Sequence, residues 1–296
     1  MARSVGVRAN GLRFHVLEEG EGERLALCLH GFPELSRSWR HQLPALAKLG
    51  YRAWAPDLRG YGQTDRPPLT RDYAIEHLVD DVVGLIDAAG VEKATLIGHD
   101  WGGFIAWHVA SRHPERLERL AILNIPHPVP FQRAVRRGPQ LLRSWYVLTF
   151  QIPGLAERLL SADDHHRVAA AFTSMAVDPG RFTDADLDAY REAAAQPGAL
   201  RAMLSYYRAY LTGGGMRRQN ALGFPRIDVP TLILWGEQDT ALGRECLIGT
   251  RELVPDLTIR YLPNASHWVQ QEAPEEVNAL LSRWLQDEPV PHSWEL

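Results

Sequence analysis

The stretch Thr95-Leu96-Ile97-Gly98-His99-Asp100-Trp101-Gly102-Gly103 constrains the fold more than any other part of the chain. Leu96 and Ile97 are apolar and followed by glycine, as in a parallel strand that is covered on both faces. A helical pattern of apolar residues begins at Phe104. Small residues at 98, 102 and 103 permit a sharp strand-to-helix turn that exposes the side chain of Asp100 at the strand end. We therefore predict a nucleophile elbow on a parallel sheet.

An aspartate at this turn selects a particular chemistry, because most such turns carry serine. A serine that displaced a leaving group from saturated carbon would become an ether, which water does not readily cleave, whereas an aspartate becomes an ester. A histidine-activated water can then hydrolyse that ester at the carboxyl carbon. Considered alone, Asp100 could equally be a cap on the following helix. The rest of the chain decides between these two roles.

Strands alternate with helical segments on both sides of this turn, which predicts βαβ units and a mainly parallel sheet. Asn10-Gly11 lies between two alternating runs and predicts an antiparallel hairpin at the start. Apolar runs predict further strands at 25–29, 51–55, 117–125, 231–235 and 257–261. Because ligands on such sheets bind beyond the carboxyl ends of the strands, the loops that follow residues 29, 55 and 97 should border the site.

From about residue 130 to residue 222 the alternation stops and the sequence becomes helical and aromatic. We predict an inserted helical cap over 130–222, and a core formed by 1–129 and 223–296. Helices are expected at 141–150, 156–160, 165–175 and 184–195. Gly213-Gly214-Gly215 is interpreted as a flexible exit from the last helix of the cap.

Charge and cysteine content exclude several other classes of protein. A formal net charge of -4 gives no global attraction to nucleic acid or to acidic membranes. The two cysteines suggest neither a disulfide framework nor a metal site. The chain has no apolar run of membrane-spanning length and no signal-peptide pattern at its start. We expect a cytoplasmic protein without metal or cofactor, which binds neither nucleic acid nor membrane; the sequence leaves monomer and homodimer open.

Two later strand ends carry residues that could complete a catalytic site. Asp239 follows the strand at 231–235, and His267 lies in the loop after the last predicted strand. The order nucleophile, acid, histidine is the chain order of α/β-hydrolases. The loop His30-Gly31-Phe32-Pro33-Glu34 could direct backbone N–H groups at an oxyanion, although a simple strand-to-helix turn is the alternative.

In combination these motifs resemble the α/β-hydrolase superfamily, and most closely its soluble epoxide hydrolase branch, over nearly the whole chain. The residues that carry the resemblance are His30-Gly31-Phe32-Pro33-Glu34, Asp57-Leu58-Arg59-Gly60-Tyr61-Gly62, Gly98-His99-Asp100-Trp101-Gly102-Gly103, Asp239 and His267. The resemblance implies an α/β-hydrolase fold, with a mainly parallel sheet flanked by helices and an inserted helical cap. It further implies a triad of Asp100, Asp239 and His267, oxyanion donors at the N–H groups of Phe32 and Trp101, and a cis Phe32-Pro33 peptide.

Two segments of the cap, Ser144-Trp145-Tyr146 and Ser205-Tyr206-Tyr207-Arg208, are similar to those from which epoxide hydrolases supply two tyrosines to the epoxide oxygen. The resemblance assigns that role to Tyr146 and Tyr207. A phenol suits it, because its pKa of about 10 keeps it protonated at neutral pH. Ordinary packing is the alternative for both, and is favoured for Tyr206. The residues expected to contact substrate are His30, Pro33, Trp145, Phe150 and Phe172.

The predicted activity is the conversion of a small apolar epoxide and water to a vicinal diol, through an ester on Asp100 that a His267-activated water hydrolyses. Haloalkane and haloacid dehalogenases use the same ester, but their usual halide-binding Asn and carboxylate-binding Arg are replaced by Phe32 and Trp101. An ester hydrolase fits less well, because carboxylate attack on an ester gives an anhydride. A non-catalytic small-molecule binding protein on the same fold is a further alternative.

Overall fold

The structure is a computed structural model that describes residues 2–292 and residue 295. In this part of the chain the strands are β1 (Arg3–Ala9), β2 (Leu12–Glu19), β3 (Arg24–Leu29), β4 (Tyr51–Pro56), β5 (Ala94–His99), β6 (Leu117–Leu123), β7 (Thr231–Gly236) and β8 (Leu257–Leu262). They form one sheet in the order β1-β2-β4-β3-β5-β6-β7-β8. The pairs β1–β2 and β2–β4 are antiparallel and all other pairs are parallel. The predicted mainly parallel sheet is confirmed.

Helices follow or precede most strands. They are α1 (Gln42–Lys48), α2 (Ile75–Ala88), α3 (Trp101–Arg112), α4 (Pro128–Arg137), α5 (Gln140–Arg143), α6 (Trp145–Phe150), α7 (Leu155–Met175), α8 (Asp184–Ala195), α9 (Ala199–Tyr210), α10 (Gly215–Leu222), α11 (Thr250–Leu253), α12 (Val269–Glu272) and α13 (Pro274–Leu285).

Helices cover both faces of the sheet, as the apolar strands require. Successive residues of β5 point to opposite faces, so that Leu96 and Ile97 belong to two different buried clusters. The cluster of Leu96 includes Leu78 of α2, and the cluster of Ile97 includes Leu43 of α1 and Val277 of α13. This double burial explains why the strands read as continuous apolar runs.

Between β6 and β7 the chain forms α4 to α10, residues 128–222, which we call the inserted helices. They begin two residues earlier than predicted, because Pro128 is favourable in a first helical turn and the His127 ring accepts a hydrogen bond from Val129 N. Residues 162–165 interrupt α7, between the two helices predicted there. The interpretation of 213–215 was wrong: these glycines turn from α9 into the further helix α10, with Gly214 at φ 78°.

Ionic and polar contacts hold the inserted helix α8 against the loop that follows β3 and against α12. The buried Asp186 carboxylate accepts hydrogen bonds from Arg37 at 2.9 Å and from Arg40 at 3.1 Å. The Tyr190 hydroxyl lies 3.1 Å from Ser38 Oγ and donates to Gln271 at 2.8 Å. Among the described residues, none of the helices combines the length and the apolar character needed to cross a membrane.

Candidate active site

The turn between β5 and α3 has the strained geometry that its glycines permit. Asp100 has φ 47° and ψ -121°, a backbone conformation that residues with a Cβ rarely adopt. A Cβ on Gly98 would lie 2.6 Å from Gly103 Cα, so the strand and helix could not approach this closely with larger residues. Within residues 2–292 the Asp100 side chain makes no capping hydrogen bond to α3. The side chain is instead directed at the sheet edge, which argues against the helix-cap role.

The loop after β3 meets Asp100 from the neighbouring strand. Phe32 N donates to Asp100 Oδ1 at 2.8 Å, and the Phe32-Pro33 peptide is cis. A Cβ on Gly31 would collide with the Asp100 side chain, so glycine is required for this contact. Trp101 is the first residue of α3, where a backbone N–H has no acceptor within its own helix. Of the two N–H groups assigned by the resemblance, that of Phe32 binds the Asp100 carboxylate, and that of Trp101 begins the helix that follows Asp100.

His267 lies between two carboxylates, in the loop after β8. Its Nδ1 lies 2.7 Å from Asp239 Oδ2, and its Nε2 lies 3.7 Å from Asp100 Oδ2. The first distance is a hydrogen bond in which Nδ1–H donates to the carboxylate. The second exceeds hydrogen-bond length, so Nε2 faces the Asp100 carboxyl group without being bound to it. An imidazole in this position can take a proton from a water beside Asp100.

Asp239 is buried and held by four donors in the turn after β7. Its Oδ1 accepts from the N–H groups of Ala241 and Leu242 at 2.8 and 2.9 Å, and Asn124 Nδ2 donates to Oδ2 at 2.7 Å. Burial alone would raise the pKa of Asp239, but His267 and these donors bring that pKa below its usual value. The group is therefore a carboxylate and can orient and charge-stabilise the imidazole.

The charges in the site keep Asp100 ionised and favour a protonated His267. Burial raises the pKa of Asp100, but His267, His99 and the Phe32 N–H bring it below its usual value. Burial lowers the pKa of His267, but the carboxylates of Asp239 and Asp100 raise it well above its usual value. Loss of the Asp100 charge would therefore lower the pKa of His267 and favour the neutral imidazole, the form that can act as a general base.

Asp100, Tyr146 and Tyr207 line the same cavity of about 360 Å³ between the sheet edge and the inserted helices. Most of its other wall is aliphatic or aromatic, as at Phe131 and Val147. Burial, and next the negative charge of Asp100, raise the pKa values of both phenols. The phenols therefore remain protonated donors across the neutral range. A cavity of this size suits a small apolar molecule.

Tyr206 lies outside this cavity and has a structural role. Its ring is buried against Tyr61 and Trp101, and its hydroxyl donates to the Arg59 carbonyl oxygen at 2.8 Å. This agrees with the favoured packing interpretation. Adjacent helical residues project about 100° apart, so only one of Tyr206 and Tyr207 can face the substrate.

The remaining side chains predicted to contact substrate do not line this cavity. Of the residues described, those that line the cavity do not include His30, Pro33, Trp145, Phe150 or Phe172. Trp145 is 66% exposed, because facing Tyr146 inward turns the preceding residue outward. His30 is buried and accepts from Leu58 N at 3.0 Å.

The two phenylalanines pack behind the site. Phe150 contacts Tyr207 edge-on, with 5.0 Å between ring centroids, and so supports that phenol. Phe172 stacks on Tyr190 at 4.2 Å.

Two groups that support the site residues were not predicted from the sequence. Asn124, at the end of β6, binds Asp239 and accepts from Gly236 N at 2.8 Å. The strand predicted at 117–125 includes Asn124. An asparagine at the end of a strand, on the sheet edge that borders the site, could have indicated a functional residue. Its φ of 41° is one that asparagine tolerates better than most residues.

The second group is a buried His99 and Glu34 pair beneath His267. His99 Nε2 donates to the His267 carbonyl oxygen at 2.8 Å, and His99 Nδ1 lies 2.6 Å from Glu34. Gln270 and Gln271 donate to the other carboxylate oxygen at 2.8 and 2.9 Å. This network fixes the backbone that carries the His267 imidazole. Both residues belong to the motifs that carry the family resemblance, but only the fold brings His99 and Glu34 together.

Comparisons with known proteins agree with this arrangement. Residues 27–274 match the family model described as the alpha/beta hydrolase fold. Epoxide hydrolase 4 of Homo sapiens is 40% identical over 291 residues, which cover 96% of this chain and 78% of that protein. The AB hydrolase superfamily protein YfhM of Bacillus subtilis (strain 168) is 39% identical over 285 residues, covering 95% of this chain and 97% of that protein.

A solved structure is similar over almost the same range. The crystal structure of Bacillus megaterium epoxide hydrolase in complex with an inhibitor has a TM-score of 0.88 and 34% sequence identity. The match covers 95% of this chain and 100% of that chain. The inserted helices are therefore included in the similarity, together with the sheet.

Proposed function

Because this chain belongs to the epoxide hydrolases of the α/β-hydrolase superfamily, and is a hydrolase, we propose that it opens a small apolar epoxide to a vicinal diol through an ester on Asp100. The observation that carries this proposal is the convergence of one carboxylate and two protonated phenols, Tyr146 and Tyr207, on one cavity. We further propose that the inserted helices act as the cap domain, since they supply both phenols.

In the first step an Asp100 oxygen attacks a ring carbon while the carbon–oxygen bond on the opposite side breaks. The electron pair of that bond goes to the ring oxygen, which takes a proton from Tyr146 or Tyr207. A phenol suits this because its proton leaves only as the alkoxide develops. The product of the step is an alkyl ester of Asp100 with a neighbouring hydroxyl group.

In the second step His267 takes a proton from water as the water oxygen bonds to the ester carboxyl carbon. Esterification has removed the charge of Asp100, so the pKa of His267 falls. The imidazolium gives its proton to the phenolate left by the first step, and the neutral imidazole becomes the base. The N–H groups of Phe32 and Trp101 would stabilise the resulting oxyanion. Collapse of this intermediate breaks the ester carbon–oxygen bond. The diol oxygen takes the proton that His267 received from water, and the remaining carboxyl proton passes to the imidazole, which regenerates the Asp100 carboxylate.

Single turnover in ¹⁸O-water tests the ester. The protein in excess over an aryl epoxide should give first-turnover diol with unlabelled oxygen, because that oxygen comes from Asp100. Label should then appear in the Asp100 carboxylate, detectable by peptide mass. Immediate ¹⁸O in the diol would mean direct attack by water and would contradict the proposal.

The phenols separate epoxide opening from halide displacement, which needs no proton donor. Tyr146→Phe and Tyr207→Phe should each slow diol formation by roughly 10² or more. Tyr210→Phe is the matched control, because it removes a hydroxyl from the same cavity wall without removing either proposed donor. Halide release from a primary haloalkane, with no diol from the epoxide, would favour the dehalogenase alternative. Asp100→Ala should abolish either activity.

A further inference from the structure

The exposed large apolar side chains concentrate in one short segment. Among the residues that the structure describes, six of ten such side chains lie between positions 141 and 155. They are Leu141, Leu142, Trp145, Leu148, Ile152 and Leu155. Scattered exposed hydrophobic residues are normal in a folded protein, but a contiguous group marks an interaction surface. We call residues 141–155 the apolar segment.

Three of these side chains follow one side of the segment. Leu142, Trp145 and Leu148 recur every three residues through α5 and α6, and they are 77%, 66% and 67% exposed. Tyr146 and Val147 lie between them and pack inward against the core. The segment is therefore amphipathic, with one side against the cavity and the other open.

The charge next to this surface is positive. Residues 128–156 contain four arginines and neither aspartate nor glutamate, in a chain whose net charge is -4. Acidic groups from the neighbouring part of the core pair with two of them, Glu252 with Arg133 at 3.6 Å and Glu245 with Arg143 at 2.9 Å. Arg136 is exposed and has no acidic partner among residues 2–292. The surface therefore combines exposed leucine, isoleucine and tryptophan with unneutralised arginine.

That combination matches an anionic lipid surface better than a second copy of this chain. Tryptophan and leucine enter the region between headgroups and acyl chains, and arginine is attracted to anionic headgroups. A symmetric dimer would bring the same patch of two molecules together, so that like charges would meet.

The same surface surrounds the entrance of the cavity. Leu141, Leu148 and Arg136 line the cavity as well as being exposed. A molecule dissolved in the lipid could therefore enter between them and reach Asp100 with little exposure to water. The entrance faces the side on which the chain would contact the bilayer.

We propose that the apolar segment and Arg136 dock this protein peripherally on anionic lipid bilayers, with the cavity opening toward the lipid. The prediction that the protein binds no membrane was based on its global net charge. A net charge does not describe how charged and apolar side chains are distributed over the surface. Docking goes beyond the proposed reaction and does not depend on Asp100.

Flotation with vesicles tests the docking. The full chain should float with vesicles of phosphatidylcholine and phosphatidylglycerol (3:1) at low ionic strength, and less with phosphatidylcholine alone or in high salt. The double variant Leu142→Gln and Trp145→Gln should bind about tenfold less or weaker still, because both side chains lose apolar burial. Leu69→Gln is the control, since Leu69 is exposed but lies outside the apolar segment. Asp100→Asn should float like the wild type.

A second measurement shows that the double variant is folded. Neither substituted residue lines the cavity, so its turnover of a water-soluble epoxide should equal that of the wild type, while turnover of a vesicle-dissolved epoxide should fall. Flotation of the double variant equal to that of the wild type, or no flotation of the wild type, would overturn the proposal. A wild-type dimer that the double variant loses, without flotation, would assign the surface to a second copy. If the wild type turned over no epoxide, the proposed reaction would be contradicted. Flotation would still decide whether the protein docks on lipid.

Discussion

At the scale of single residues, the imidazole of His267 depends on the carboxylate behind it. Asp239→Asn removes a negative charge, so the pKa of His267 should fall, and it also removes the acceptor that fixes the Nδ1 proton. Ester hydrolysis should slow by roughly 10² to 10⁴, while ester formation changes less. Intact-protein mass after mixing with epoxide should then show the protein plus one substrate.

Glu237→Gln provides the control for that prediction. Glu237 lies in the same turn and forms an ion pair with Arg244, away from His267. This variant should accumulate no ester and turn over like the wild type. Equal accumulation in both variants would mean that the turn, and not the Asp239 charge, governs hydrolysis.

At the scale of elements, Asp57 joins three parts of the fold at the end of β4. Its carboxylate contacts His15 of β2 at 2.8 Å, and accepts from Ser36 N at 2.9 Å and Gln63 N at 3.2 Å. Burial raises the pKa of Asp57, but His15, His30 and the Ser36 N–H prevail and lower it from 3.8 to about 2. At 1.36 kcal/mol per pKa unit, the charged form contributes about 2 kcal/mol to the free energy of unfolding.

The sign of this contribution fixes its pH dependence. A pKa that is lowered on folding stabilises the protein fully above the unfolded value near 4, and the stabilisation is lost as pH falls toward 2. Asp57→Asn should therefore lose about 2 kcal/mol at pH 7, and the difference from wild type should shrink below pH 4. Urea unfolding from pH 2.5 to 7 measures this. Asp65→Asn, an exposed acid that also accepts a backbone N–H, should show a smaller and flatter difference.

Sequence periodicity predicted the sheet well, and the site only where each residue stands at a strand end. Asp100, Asp239 and His267 could be placed in this way, because parallel strands bring their carboxyl ends to one edge. The roles of Asn124 and of the His99 and Glu34 pair depend on hydrogen bonds between residues far apart in sequence, which no local pattern reveals. The exposed position of Trp145 could not be predicted, because two short helices, α5 and α6, fix which side chains face inward, and their register is set by tertiary packing.

At the scale of the whole molecule, the position of the phenols depends on how the inserted helices are fastened to the sheet. Asp186→Asn removes the carboxylate that holds both Arg37 and Arg40. We expect a loss of about 1–3 kcal/mol in the free energy of unfolding, because Asp186 is buried while Arg37 is partly exposed. Calorimetry should show a lower Tm, and limited proteolysis should show faster cleavage within 128–222.

Asp188→Asn tests whether that effect belongs to the anchoring. Asp188 lies on the same helix but pairs with Arg191 on the surface, at 2.9 Å. Substitution there should change stability by less than about 0.5 kcal/mol. Comparable losses from both variants would show that helix α8 itself, and not its contact with the core, is being weakened.

Asp100 and His267 lie in turns that follow sheet strands, whereas Tyr146 and Tyr207 stand on the inserted helices, so the two halves of the proposed chemistry can diverge independently. Substitutions in 128–222 can change the cavity entrance, the substrate that the site accepts and the protonation of the leaving oxygen. The residues proposed to cleave the ester would stay the same. A laboratory library confined to those helices would therefore search among substrates and not among reactions of the ester. The strained turn at Asp100 and its glycines form the module onto which such variation can be grafted.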